Sequence, residues 1–222
     1  MVNISIAVTF DTVCPWCYIG LKRLRNAIAT YKNSYPATTF TITWHPYYLN
    51  PAAPKVGTPK RAMYASKFGP DRANMIFQRL EAVGKQEGIN FSFGGNTGNT
   101  RTSHRLIAMT GKEKGTEMQN RVVEELFKSY FEKEGDITDV NTLTEAAKLA
   151  GLEEGQTKKW LESDAGGKEV DREVDEARER DVTGVPDFII QNKYNVGGAQ
   201  DPDVFVGLFE KARTADEGEE RL

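Results

Sequence analysis

The sequence predicts an α/β protein in which one small sheet, drawn from both ends of the chain, is interrupted by a large all-helical insertion. Three observations carry this expectation. Residues 1–48 follow a strand–helix–strand pattern, residues 49–182 are patterned almost throughout as helices broken by glycines, and residues 183–222 return to strand–strand–helix.

Each element has its own justification. Residues 4–10 are short, apolar and β-branched, as a strand requires. Leu21, Leu24, Ile28 and Tyr31 then recur every three or four positions, the period of a helix. Pro36 cannot continue that helix. Residues 38–44 alternate and are rich in β-branched residues, so they read as a second strand, parallel to the first across a right-handed crossover. Pro46, Pro51, Pro54 and Pro59 punctuate a loop. Helices are expected over residues 59–68, 71–85, 102–114, 117–131, 141–150 and 154–162, while the glycine- and asparagine-rich residues 90–99 read as a loop. Residues 167–181 are strongly charged and read as a surface helix alone. Residues 187–190 and 194–196 form a hairpin about Gln191-Asn192-Lys193. Residues 202–213 carry Val204, Phe205, Leu208 and Phe209 on one helical face, and the acidic residues 216–220 read as a frayed tail.

The chemistry gathers at Cys14-Pro15-Trp16-Cys17, which holds the only two cysteines of the chain. Cys14 falls where a strand hands over to a helix N-terminus, and Cys17 lies one turn further on. Unpaired amides and the positive end of the helix dipole favour a thiolate at the first position. A thiolate beside a second thiol can attack a disulfide and then be released by its neighbour. A zinc site would need about four ligands, and His45 and His104, the only histidines, stand at no finger-like spacing. A structural disulfide is disfavoured because so short a loop restricts the unfolded chain little.

The bulk composition narrows the class. A hydrophobic fraction of 39% with 27% charged residues is that of a globular protein. The net charge of −3 carries no nucleic-acid footprint. No apolar run approaches the ~20 residues that span a bilayer, and the first residues lack the basic and apolar segments of a secretory signal. A cytoplasmic location is therefore expected, where a cysteine pair serves catalysis or redox sensing. The final Glu220-Arg221-Leu222 matches a peroxisomal tripeptide only in its last two positions.

The order strand–CxxC–helix–strand, helical insertion, Val-Pro, hairpin, helix resembles the DsbA-like branch of the thioredoxin superfamily. Asp11-Thr12-Val13-Cys14-Pro15-Trp16-Cys17-Tyr18-Ile19-Gly20 is similar to the FrnE-type subgroup. Tyr48-Leu49-Asn50-Pro51, residues 99–104, and Thr183-Gly184-Val185-Pro186-Asp187-Phe188 followed by Gly197-Gly198-Ala199-Gln200 agree with it. The resemblance implies a thioredoxin-like fold with the helical insertion, a cis bond before Pro186 facing the cysteines, and thiol–disulfide exchange. A cis turn there would offer the Val185 backbone to an extended substrate.

On this basis Cys14 is the expected nucleophile and Cys17 the resolving thiol, with Pro15, Trp16, Val185, Pro186 and His104 expected to bind substrate. Trp16 reads either as an aromatic contact surface or as a cap over the first turn. His104 reads either as a partner for a bound thiol or as a helix-face residue, Asp11 as a modulator of the thiols or a turn cap, and His45 as structural. No bound cofactor or metal is expected, but glutathione or another thiol could serve as redox partner. The expected substrate is a disulfide-containing protein or small thiol. A competing expectation is a glutathione-dependent isomerase or transferase of the kappa or 2-hydroxychromene-2-carboxylate isomerase type. Those enzymes resemble the fold but place serine where Cys14 stands. A binding module without turnover is a third.

Overall fold

Residues 2–219 are described by the structure, a computed structural model, with side chains through residue 215. The first strand, β1 (Asn3–Phe10), runs into α1 (Pro15–Ser34), which returns to β2 (Thr39–Pro46). β1 and β2 are parallel, with Ile4 opposite Phe40 and Val8 opposite Trp44. Seven helices intervene before the sheet resumes: α2 (Lys60–Phe68), α3 (Pro70–Gln86), α4 (Arg101–Lys114), α5 (Thr116–Glu132), α6 (Val140–Ala150), α7 (Glu154–Leu161) and α8 (Gly167–Glu179). β5 (Asp187–Ile190) and β6 (Tyr194–Gly197) then form the hairpin, and α9 (Pro202–Glu219) closes the chain. β5 pairs antiparallel with β1, giving the strand order β2-β1-β5-β6.

The strand patterning follows from burial. Ile4, Ile6, Val8 and Phe10 point into the core, and each such side chain contributes roughly 1.5–3 kcal/mol on leaving water. α1 packs on α9, where the Tyr31 and Phe209 rings meet edge-on at 5.5 Å. α5 packs on β2, and Phe10 joins them through edge contacts to Trp44 at 4.7 Å and Phe127 at 5.8 Å. One continuous apolar cluster therefore runs from the sheet into the helices between β2 and β5.

The structure departs from expectation at four places. Two short strands pair antiparallel, β3 (Thr58–Pro59) where the expected loop meets the helix expected from residue 59 and β4 (Asn96–Thr97) inside the segment expected to be loop. A two-residue ladder is too short to show a period. α8 is more than a surface helix. Gly167, Val170, Val174 and Ala177 are buried, and Asp171 accepts hydrogen bonds from Arg101 Nε and the Tyr48 hydroxyl at 2.9 Å each. Counting only valines as apolar hid the stripe that glycine and alanine complete. β2 also extends to Pro46. Finally, α9 continues through Glu219, so the expected frayed tail is helical there. Residue 220 of that tail, and with it Glu220-Arg221-Leu222, lies outside the described residues. Among the described residues no helix is long and apolar enough to cross a membrane.

Candidate active site

Cys14 is the N-cap residue of α1, in extended backbone geometry, and Pro15 takes the first helical position, where its missing N–H costs nothing. The Cys14 amide donates to the Asp11 carbonyl at 3.0 Å and the Cys17 amide to the Cys14 carbonyl at 3.1 Å. No side chain caps the helix, whose positive dipole end lies at Cys14. Both cysteines are thiols.

The two sulfurs have different surroundings. Cys14 is 4% exposed, lines a cleft, and its thiol faces the Val185 carbonyl oxygen at 3.5 Å. Cys17 is 1% exposed, one turn behind. Burial first, then its hydrogen bond to Cys14, push the Cys17 thiol well above its ordinary value. The Val185–Pro186 peptide is cis. Pro186 is buried behind Val185 and lies against α1 at Gly20, where a Cβ would stand 3.1 Å from Pro186 Cγ.

The cleft has a volume of about 670 Å³. Cys14, Pro15, Trp16 and Val185 stand on one side, and α2 and α3 supply much of the rest through Tyr64 and Ile76. Trp16 is half-buried there, with the Arg79 guanidinium 5.4 Å from its ring. The Tyr64 ring packs 5.0 Å from Phe77, and its hydroxyl is pushed up to about 12 by burial and then by Cys14.

His104 does not line the cleft, contrary to the substrate-binding role expected of it. It is 1% exposed, with Nε2 3.3 Å from Asp11 Oδ1 and its ring edge-on to Phe10 at 5.2 Å. The Asp11 carboxylate takes the nitrogen that a bound thiol was expected to meet. Asp11 Oδ2 also accepts from the Leu49 amide at 2.8 Å, and the Thr12 and Ser103 hydroxyls bond at 2.8 Å. The segment before Cys14 is thus tied to α4 and to the loop after β2. His45 sits apart, with Nδ1 3.3 Å from Glu173.

Sequence patterning missed the far wall. Met63, Tyr64, Ile76, Leu80 and Tyr130 line the cleft, yet at helical spacing they look like any core stripe. The one available signal was the proline-rich stretch that brings α2 back over the cysteines.

A mixed four-stranded sheet with a CxxC at the N-terminus of α1, a facing Val-Pro turn, and helices inserted between its parallel and antiparallel halves defines the thioredoxin-like class with a helical insertion. Residues 5–210 match the DSBA-like thioredoxin domain, and the chain belongs to that family. It is 26% identical over 211 residues to the uncharacterized protein YwbO of Bacillus subtilis (strain 168), covering 91% of this chain and 94% of that one. The probable DsbA oxidoreductase SCO1869 from Streptomyces coelicolor superposes with a TM-score of 0.84 at 27% identity, covering 95% of this chain and 90% of that one. The cytosolic disulfide reductase DsbM from Pseudomonas aeruginosa, solved with GSH, shares the fold at 13% identity and a TM-score of 0.60, over 98% of this chain and 100% of that one.

Proposed function

We infer that the chain is a thiol–disulfide oxidoreductase in which Cys14 attacks and Cys17 resolves. The carrying observation is the asymmetry of the two sulfurs: Cys14 lines the cleft opposite the Val185 carbonyl, whereas Cys17 is enclosed behind it with its thiol held protonated. The Cys14 thiolate attacks one sulfur of a substrate disulfide, a mixed disulfide forms, and the other substrate sulfur leaves as a thiolate. Cys17 then gives up its proton and attacks Cys14, expelling the second substrate thiol and leaving a Cys14–Cys17 disulfide. An external thiol, with glutathione as one candidate, returns the pair to its reduced form without being a resident cofactor. In a reducing cytoplasm this chemistry runs as reduction or isomerisation. Pro15, Trp16 and Val185 form the wall a substrate meets, while Pro186, expected to bind substrate as well, is buried behind Val185 and holds that turn against α1.

The test is a pair of serine variants in insulin reduction, followed by intact-mass spectrometry. Cys14→Ser should abolish exchange. Cys17→Ser should lose at least about tenfold in turnover and accumulate mixed disulfides on Cys14, because the intermediate has no internal exit. Full turnover by Cys17→Ser, together with efficient glutathione conjugation by the wild type, would favour the transferase and sink the dithiol mechanism.

A further inference from the structure

The cleft beside Cys14 has a composition that the exchange chemistry alone does not require. Val13, Leu49, Pro54, Met63, Ile76 and Leu80 line it. Only two charged side chains join them. Asp11 is 1% exposed and already engaged through both oxygens, by the Leu49 amide and by His104. Lys67 is an exposed surface residue whose ammonium lies 5.3 Å from the Phe68 ring. The remaining polar atoms include the hydroxyls of Tyr64, Tyr130 and Thr97, and the last two are bonded to each other at 2.7 Å.

Two constraints follow. Cys14 is only 4% exposed and opens onto the cleft, so a disulfide carried on a group that fits the cleft reaches it more readily than one on the rigid surface of a folded protein. A group must enter the cleft, and about 670 Å³ is the size of pockets that take small molecules. Charge then selects among those molecules. A carboxylate moved into this lining loses water and finds at most two exposed cations in exchange, the Lys67 ammonium and the Arg79 guanidinium over Trp16, which is too little to hold an anion with several carboxylates. An aromatic or aliphatic group loses no hydrogen bonds and gains the apolar walls.

Resting on the oxidoreductase assignment above, we propose that this cleft selects low-molecular-weight, uncharged, apolar disulfides, with the apolar substituent held between α2 and α3 while its sulfur meets Cys14. The Cys14 thiolate displaces one substrate thiolate, Cys17 displaces the other, and a dithiol such as dithiothreitol supplies the two electrons that reset the pair. Two molecules of the apolar thiol are the product. Tyr64 stands beside Cys14 on the cleft wall, and among the described residues its hydroxyl has no hydrogen-bond partner, leaving it free to donate to the departing sulfur.

The experiment compares kcat/KM of the full chain for bis(2-phenylethyl) disulfide, bis(2-hydroxyethyl) disulfide, glutathione disulfide and insulin, with dithiothreitol as reductant. Each value is divided by the rate of that disulfide with dithiothreitol alone, which removes intrinsic reactivity. The apolar disulfide should exceed glutathione disulfide and insulin by at least about tenfold, with the hydroxyethyl compound between. In Ile76→Lys, checked for a cooperative thermal transition, the apolar preference over glutathione disulfide should shrink about tenfold. Met63→Lys serves as the second variant if Ile76→Lys does not fold. Equal or faster turnover of glutathione disulfide or insulin by the wild type would overturn the proposed selectivity while leaving the exchange activity standing. No acceleration of any of the four would overturn both.

Discussion

Lys60 is a cation placed where cations are rarely found. It is 2% exposed, its Nζ donates to the Tyr130 carbonyl at 2.8 Å and lies 3.8 Å from the centre of the Tyr130 ring. That carbonyl belongs to the last turn of α5, whose acceptors have no partner within the helix, so the ammonium serves as a C-terminal cap. Burial nevertheless lowers Lys60 from 10.5 to about 8. The sign follows directly. Below pH 8 both folded and unfolded chains carry the proton, and the cost of the buried charge, roughly 3 kcal/mol, is fully present. Between pH 8 and 10.5 the unfolded chain binds more protons, so stability rises with pH. Urea unfolding at pH 7 and pH 9.5 should therefore show the wild type gaining stability relative to Lys60→Met as pH rises. The comparison is made against that variant because Cys17, and above pH 10 Tyr18 and Tyr130, whose protons burial holds, act in the opposite direction in both chains. Nothing in the sequence marks Lys60 among the many lysines on solvated helix faces. Asp11 was visible as a neighbour of the cysteines, but its histidine was not, because 93 residues separate them and no local pattern links the two.

At the scale of elements, the site depends on how closely α1 approaches the Val185-Pro186 turn. Gly20 sets that approach, since a Cβ there would stand 3.1 Å from both Pro186 Cγ and Phe188 Cζ. Gly20→Val should therefore destabilise the protein by about 1–3 kcal/mol through overpacking. It should also slow exchange, because the displaced turn moves the Val185 carbonyl away from Cys14. Urea midpoints and insulin reduction measure the two effects separately. The elements that position Cys14 were legible because β1, β2 and α1 each have a clean period of two or of 3.6. The hairpin β5–β6 was legible through its turn residues. What escaped notice was the packing side of α8 and the pairing of β3 with β4. Both are decided by neighbours distant in sequence: Arg101 and Tyr48 for α8, and a strand nearly forty residues away for β3.

For the molecule as a whole, β1 is the shared member of both halves of the sheet, parallel to β2 on one side and antiparallel to β5 on the other. That the first and last segments belong to one sheet was readable, since their strand-like patterning is separated by a long helical stretch. That the helices between them form the far wall of the cleft was not, because amphipathic periodicity shows which face is buried and never what it is buried against. The same arrangement has a consequence in time. Cys14 and the Val185 carbonyl it faces are 171 residues apart. At roughly 5–20 residues per second, about 10–30 s pass between the synthesis of the reactive thiol and that of the turn that shields it. Throughout that interval the emerging chain carries an unguarded dithiol and a β1 edge without its β5 neighbour. Nascent chains stalled at residue 182 should alkylate at Cys14 and Cys17 at comparable rates, whereas the finished protein should protect Cys17 strongly. Under the proposed mechanism, the distinction between the two sulfurs is completed only when the last strands arrive, so selectivity would be acquired at the end of translation.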